Sequence, residues 1–278
     1  MKKQSKTADI KIPENFTPIG RIDYLAVQHV ERYRFAVSQL KPGMKVLDIA
    51  SGTGYGTAMM LKHGCNVVGG DYDEETVKKA RAIWNHKDFV RANGLKLPFE
   101  DESFDAVVTY ETVEHVIEGE QFLSEMKRVL KKGGTFICST PNIDYTFHPL
   151  YHIKEYKANE FFELAERVFP NAERYGQYFR PIDRFRDLYL RKLLPDNLTK
   201  LRNSVGPAFE KLGVKSQIKK WILGKHWYIR NPKANESITT TQWLDNILNE
   251  NPDRFYKVKP FKGDKWLRII IVIAKKEE

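Results

Sequence analysis

The stretch Val46-Leu47-Asp48-Ile49-Ala50-Ser51-Gly52-Thr53-Gly54-Tyr55-Gly56 runs from an apolar segment into an acid and then into a glycine-rich loop. Thr57 to His63 reads as the start of a helix beyond it. A strand that turns sharply into a helix through glycines brings bare backbone close to a ligand. The next strand, Asn66 to Gly70, ends in Asp71, and an acid at that tip can accept hydrogen bonds from both ribose hydroxyls of a nucleoside. The pattern predicts a nucleoside cofactor held at the strand ends of an α/β sheet. The dinucleotide fingerprint needs glycines at its first, third and sixth positions. Here they fall at Gly52, Gly54 and Gly56, and the sixth position is Thr57. Asp48 would repel a pyrophosphate but attract a cation.

Further segments follow in order. Lys87 to Arg91 is a short third strand, and Ala92-Asn93-Gly94-Leu95-Lys96-Leu97-Pro98-Phe99-Glu100-Asp101-Glu102-Ser103-Phe104-Asp105 comes after it. Ala106 to Tyr110 is a fourth strand, followed by Glu111-Thr112-Val113-Glu114-His115-Val116. An amphipathic helix over Glu118 to Leu130 places Phe122, Met126, Val129 and Leu130 on its apolar side. Lys131-Lys132-Gly133-Gly134 reads as its cap, with basic residues near the C-terminus and glycine beyond. A fifth strand, Thr135 to Ser139, ends in Thr140-Pro141-Asn142.

The glycine loop resembles motif I of class I S-adenosylmethionine-dependent methyltransferases, and the resemblance runs from about Met44 to Asn142. The segment after the third strand is similar to that family's "D-A-x-x-L-P-F-x-D-x-S-F-D". S-adenosylmethionine carries an ammonium and a sulfonium and no phosphate, which suits an acid before the loop. The resemblance implies an α/β, Rossmann-like sheet of seven strands in the order 3-2-1-4-5-7-6, strand seven antiparallel. It implies cofactor contacts from Asp48, Ala50, Gly52 and Gly54, from Asp71 and Tyr72, and from Tyr110. Asn93 and Gly94 would meet the adenine. The family's acid there is replaced by Asn93, whose amide oxygen can still accept a hydrogen bond, without charge assistance.

Ahead of the loop, Tyr24 to Leu40 reads as a helix. Its His29-Val30-Glu31-Arg32-Tyr33 resembles the "E-H-x-x-R-Y" segment of methyltransferases from surface-glycan gene clusters, which also carry Gly-Tyr-Gly in the loop. By that resemblance Arg32 reaches the cofactor carboxylate and Tyr24 closes over it. The alternative is that Arg32 and Tyr33 pack this helix on the sheet.

At 278 residues, one large domain with an insertion fits better than two equal ones. The organisation expected is an N-terminal helical segment (1–43), a core (44–179), a basic helical cap insertion (180–250) and closing strands (251–278), with Leu267 to Ala274 the last strand of the sheet. Cys65 and Cys138 read as buried free thiols of a reducing compartment. Met1 to Thr7 lacks the apolar core of a signal peptide, and no run reaches the roughly 20 apolar residues of a spanning helix. These features predict a cytoplasmic protein. Residues 180–233 hold 14 Lys or Arg against 4 Asp or Glu, a surplus equal to the whole net charge of +10. Aromatics interleave with the basics in Lys219-Lys220-Trp221-Ile222-Leu223-Gly224-Lys225-His226-Trp227-Tyr228. Such a segment suits an anionic membrane surface or an anionic substrate, and nucleic acid less well.

Methyl transfer is an in-line displacement at an activated carbon, so the protein mainly aligns the partners. An oxygen nucleophile also needs its proton removed. Glu111, Glu114, His115, His148 and His152 stand at or after strand ends. His115, His152 and Glu111 are the candidates for catalysis, against plain packing or loop roles. His152-Ile153-Lys154-Glu155-Tyr156 resembles the "H-x-x-E-[YF]" of the glycan-cluster enzymes. Glu111, Glu114 and His115 also match "E-x-x-E-H". That pattern ligates a divalent metal in ubiquinone-pathway O-methyltransferases and in small-RNA 3′-terminal methyltransferases, where a second histidine follows "S-T-P-N". The reading adopted carries no metal. It is an S-adenosylmethionine-dependent O-methyltransferase acting on a sugar hydroxyl of a glycan or of its nucleotide- or lipid-linked precursor. The alternatives are a metal-assisted enzyme of RNA termini or quinone precursors, and a non-catalytic cofactor-binding docking protein.

Overall fold

A computed structural model describes residues 24–145, 152–178, 244–245, 257–263 and 267–277, with side chains from residue 28 onward. The expected basic cap apart from residues 244–245, His148 and the side chain of Tyr24 lie outside the described residues.

The chain runs α1 (Tyr24–Gln39), β1 (Lys45–Ile49), α2 (Tyr55–Lys62), β2 (Asn66–Asp71), α3 (Glu74–Trp84), β3 (Phe89–Arg91) and β4 (Phe104–Tyr110). A 3-10 turn (Val113–His115), α4 (Gly119–Val129), β5 (Leu130–Pro141), α5 (Ala158–Val168), β6 (Glu173–Tyr178), β7 (Lys259–Pro260) and β8 (Leu267–Lys275) follow. The sheet order is β3-β2-β1-β4-β5-β8-β6-β7. β1 lies parallel between β2 and β4, and β8 is antiparallel to both β5 and β6. This is the expected order with one addition: β7 pairs Pro260 with Tyr175 and Lys259 with Gly176, covering part of the β6 edge. A sheet edge leaves unpaired backbone groups, which even a two-residue strand satisfies locally.

The central strands read as apolar runs because both of their faces are covered. Val46, Ala106, Val108, Ile137 and Ile271 point to the side of α1 and α2. Leu47, Val107, Phe136, Cys138 and Ile270 point to the side of α4 and α5. α4 buries Phe122, Leu123, Met126 and Val129 at helical spacing, and α5 buries Phe161, Phe162, Leu164, Ala165 and Val168. Each such large side chain contributes roughly 2 to 3 kcal/mol. Asp73 starts α3 by accepting from the Thr76 amide at 3.0 Å and the Thr76 hydroxyl at 2.6 Å.

The residues read as the α4 cap do something else. Leu130 is already extended and pairs with Phe104, so β5 begins where the helix ends. Gly133, at φ 69°, donates its amide to Lys276 O, and the Lys276 amide returns to Gly134 O. The glycines tie β5 to the chain leaving β8 instead of closing a helix.

Candidate active site

Parallel α/β sheets bind ligands where the strand order reverses, outside the carboxyl ends of the strands. Here that crevice opens between β1 and β4. β1 ends in Ala50, which holds φ 59°, and the loop continues with Gly52 at φ 54° and Gly54 at φ 80°. The three loop glycines answer three different demands. A Cβ built on Gly52 meets nothing within 4 Å, so this glycine faces open space. A Cβ on Gly54 would strike the Phe89 ring, and one on Gly56 would enter the Tyr33 ring. Only Gly52 presents its bare surface to a ligand; Gly54 and Gly56 let β3 and α1 approach the loop.

Asp71 closes the other side of the loop. Its Oδ2 accepts from the Gly52 amide at 2.9 Å and its Oδ1 from the Asp73 amide at 3.1 Å. Burial raises its pKa. Beyond it the Tyr72 ring is 58% exposed, with the Arg91 guanidinium 5.7 Å from its centre. Asn93 is exposed, and its Oδ1 already accepts from the Leu95 amide at 2.9 Å. Gly94 is needed for packing, because a Cβ there would press on Phe122.

Two expectations are revised by this geometry. Asp48 does not face the crevice: it is fully buried, with Tyr33 donating to Oδ1 at 3.0 Å and Thr57 to Oδ2 at 2.7 Å. Burial pushes its pKa up to about 7, against the pull of those two hydroxyls. It therefore braces the loop from beneath, joining α1 and α2 to β1. Tyr110 likewise turns its ring under α1, where it donates to Arg32 O at 2.9 Å and packs edge-on to Tyr33. Only its backbone remains for the cofactor.

Arg32 is 1% exposed. Its Nη1 donates to Gln177 Oε1 at 2.9 Å, and Gln177 Nε2 donates to Gln28 O at 2.9 Å, so α1 and β6 hold the guanidinium between them. Its Nη2 lies 4.0 Å from Glu111 Oε2, and neither Nε nor Nη2 makes a hydrogen bond. A buried guanidinium edge with unsatisfied donors suits a carboxylate ligand.

Glu111 follows β4 at φ 53°, and its Oε1 accepts from Ser139 Oγ at 3.0 Å. Glu114 is 1% exposed; Thr140 donates to its Oε2 at 3.0 Å, and Oε1 has no hydrogen-bond partner. Burial, reinforced by the neighbouring Glu111, raises its pKa well above the ordinary carboxylate value. The Ile153 and Lys154 amides both donate to Glu114 O, at 2.9 and 3.0 Å, which straps the segment after residue 151 to the 3-10 turn. As a result the His115 and His152 rings meet edge to face, 5.1 Å apart. Ligand atoms of Glu114, His115 and His152 all lie within 4.8 Å of one another. Glu111 is turned away from this group, toward Ser139 and Arg32. The roles of Ser139, Thr140, Thr57 and Gln177 escaped the reading of the sequence, since isolated hydroxyls and amides carry no spacing signal.

Residues 47–138 match the family model described as a methyltransferase domain. A probable S-adenosylmethionine-dependent methyltransferase from Mycolicibacterium smegmatis is 40% identical over 131 residues, 45% of this chain and 51% of that protein. Demethylmenaquinone methyltransferase from Clavibacter sepedonicus is 39% identical over 107 residues, 36% of this chain and 44% of that protein. The chain thus spans about half the length of the curated relatives it matches. The crystal structure of a Thermotoga maritima S-adenosylmethionine-dependent methyltransferase, a possible histamine N-methyltransferase, overlaps 91% of this chain and 93% of its own at 17% identity and a TM-score of 0.53. The fold is that of a class I methyltransferase.

The family model that residues 47–138 match is that of a methyltransferase domain, relatives of the chain are described as S-adenosylmethionine-dependent, and the crevice has features that would fit this cofactor. Asp71 at the tip of β2 would accept from the ribose hydroxyls, Gly52 leaves open space beside it, and the unsatisfied edge of Arg32 would take the methionine carboxylate. When bound, the cofactor supplies a methyl group on a positively charged sulfur. No helix of the described residues is long and apolar enough to cross a membrane.

Proposed function

We propose that this chain is an S-adenosylmethionine-dependent O-methyltransferase acting on a sugar hydroxyl of a glycan or of its nucleotide- or lipid-linked precursor. The observation that carries the reading is the imidazole pair His115 and His152 beside Glu114, at the end of β4. A hydroxyl acceptor has a high pKa and must lose its proton as the new O–C bond forms. An imidazole at this place offers a ring nitrogen to accept that proton. The sugar as acceptor rests on the resemblance of the α1 and His152–Tyr156 segments to glycan-cluster enzymes. The basic residues 180–233 suit a lipid-linked precursor at an anionic membrane surface.

One observation favours a second reading. Glu114, His115 and His152 offer ligand atoms within 4.8 Å of one another, a carboxylate and two imidazoles that fit a divalent cation. Held there, Mg²⁺ or Mn²⁺ would lower the pKa of a vicinal hydroxyl of an RNA terminus or a quinone precursor. Transfer of labelled methyl from the cofactor to nucleotide sugars, lipid-linked sugars, short RNAs and quinone precursors, with and without EDTA, tests both readings. Labelled sugar formed equally with EDTA is the expected result. Label only on RNA or quinone, lost with EDTA and restored by Mg²⁺, would overturn the sugar reading in favour of the second. No transfer to any acceptor would refute both.

A further inference from the structure

The opposite end of the sheet from the crevice carries a second concavity. It has a volume of about 430 Å³ and is walled by the turn before β1, the start of β5 and the end of β8. β1 is five residues long, so at about 3.3 Å per residue it holds this cavity roughly 15 Å from the glycine loop. Lys41, Lys131, Lys132 and Lys275 line it against one carboxylate, Asp105. Among the described residues no arginine and no aromatic ring joins them. Asp105 is already engaged: Lys131 Nζ donates to its Oδ1 and the Lys45 amide to its Oδ2, both at 2.7 Å. Lys275 Nζ donates to Thr135 Oγ1 at 2.6 Å. An ammonium has three donors, so two remain on each of these anchored groups. The Lys41 and Lys132 ammonium groups meet no carboxylate among the described residues. Gly43 at φ 86° and Gly133 at φ 69° also line the cavity, and a Cβ on either would meet nothing within 4 Å. Such a surplus of positive charge around one cavity works against the fold until an anion enters.

We infer that this cavity is a second ligand site, for a diphosphate group, separate from the methyl-transfer centre. Lysine is a compact point charge suited to phosphate, whereas a planar carboxylate is matched by the arginine fork, which this lining lacks. One phosphate carries about −1.5 to −2 charge at pH 7 and leaves part of the surplus unmatched, while two joined phosphates use all of it. The ligand would bridge Lys41 before β1, Lys131 and Lys132 in β5, and Lys275 in β8. It would thereby hold the closing strand on the sheet and stabilise the folded chain by mass action. A diphosphate here lies too far from the crevice to be the acceptor in the same event, so the site stands apart from any reading of the acceptor.

Calorimetric titration of the full chain with inorganic pyrophosphate, free of divalent metal and at constant ionic strength, tests the site. Saturable binding of one equivalent, with a raised midpoint of thermal unfolding, is expected. Lys41→Gln together with Lys132→Gln removes two ammonium groups that hold nothing within the described fold. This pair should weaken pyrophosphate by about 10- to 100-fold, as for hydrogen bonds to a charged group, and leave S-adenosylhomocysteine affinity unchanged. Binding no tighter than that of sulfate at matched ionic strength would overturn the inference, because diffuse charge alone would then explain it. Wild-type pyrophosphate affinity in the double variant would also overturn it, by placing the anion elsewhere. So would a short RNA that binds through the same lysines when pyrophosphate does not. Displacement of pyrophosphate by a nucleoside diphosphate, or by vesicles bearing a prenyl diphosphate, would support the site and identify a soluble or a lipid source of the group.

Discussion

Replacing Asp48 by asparagine removes a carboxylate whose ionisation opposes folding. Asp48 has no exposed surface, and its two oxygens are held by the Tyr33 and Thr57 hydroxyls. Burial raises its pKa from 3.8 to about 7. Because the folded value lies above the unfolded one, the folded state binds the proton more tightly. Stability from this group is full below pH about 4 and falls as pH rises through about 7. At pH 5 the unfolded carboxyl is mostly ionised and the folded one is not, which destabilises the fold by a little over one pKa unit of free energy. At pH 8 the penalty has grown to about three units. The difference, roughly 2 units at 1.36 kcal/mol each, is on the order of 2.5 kcal/mol. Asp48→Asn keeps an oxygen to accept from one hydroxyl and an amide to offer the other, and does not titrate. Urea unfolding of both proteins at pH 5 and pH 8, without cofactor, measures the effect. The stability of the variant relative to wild type should improve by about that amount between the two pH values. Parallel pH dependences in the two proteins would refute the assignment of a buried, proton-binding Asp48.

Other perturbations separate packing from binding within the same loop. Gly56→Ala puts a methyl group into the Tyr33 ring and should lower stability by about 1 to 3 kcal/mol in urea unfolding, with little further loss when it is introduced into a Tyr33→Ala protein. Gly52→Val meets no protein atom, but its left-handed backbone should reduce stability by about 1 to 2 kcal/mol. Its main effect should be loss of S-adenosylhomocysteine binding in calorimetric titration, and an unchanged Kd would refute the placement of the site. Arg32→Met removes the unsatisfied guanidinium edge and should weaken S-adenosylhomocysteine by about 10- to 100-fold, as expected for hydrogen bonds to a charged group. Retained affinity in a folded Arg32→Met protein would show that the cofactor carboxylate is held elsewhere.

Much of this arrangement was legible in the sequence, for a physical reason. Strands covered on both faces must be apolar throughout, so β1, β4, β5 and β8 announce themselves as runs, and the acids and glycines that end them mark the ligand side of the sheet. The rest depends on contacts made across the chain. That Gly56 exists for Tyr33, and that Asp48 answers the same tyrosine, follows only once α1 lies on β1. Arg32 and Gln177 are separated by 145 positions, and no local pattern joins them. Local rules misread Lys131 to Gly134 because a basic, glycine-terminated stretch after a helix also suits the start of a strand, and pairing with Lys276 determined which it became. β7 is two residues long and contains a proline, so its pairing owes nothing to strand propensity.

Several unfavourable features of the described residues meet at one place. Ala50 and Glu111 hold left-handed backbone angles at the ends of the neighbouring strands β1 and β4, where a side chain adds roughly 1 to 2 kcal/mol of strain each. Between and beside them stand a buried arginine with two unsatisfied nitrogens and a buried glutamate with an unsatisfied oxygen. Each would be selected against in a chain that only had to fold. Their surroundings fix them nonetheless: Gln177 grips Arg32, Ser139 grips Glu111, and Thr140 grips Glu114. A site held in this way does not wait for its ligand to assemble it. The strain and the unmet hydrogen bonds are already present in the free protein, so a ligand that satisfies the guanidinium gains the interaction without an ordering penalty. On this argument, stabilising the free protein by relieving Arg32, for instance with a nonpolar residue of similar volume, necessarily removes part of the binding energy for the cofactor.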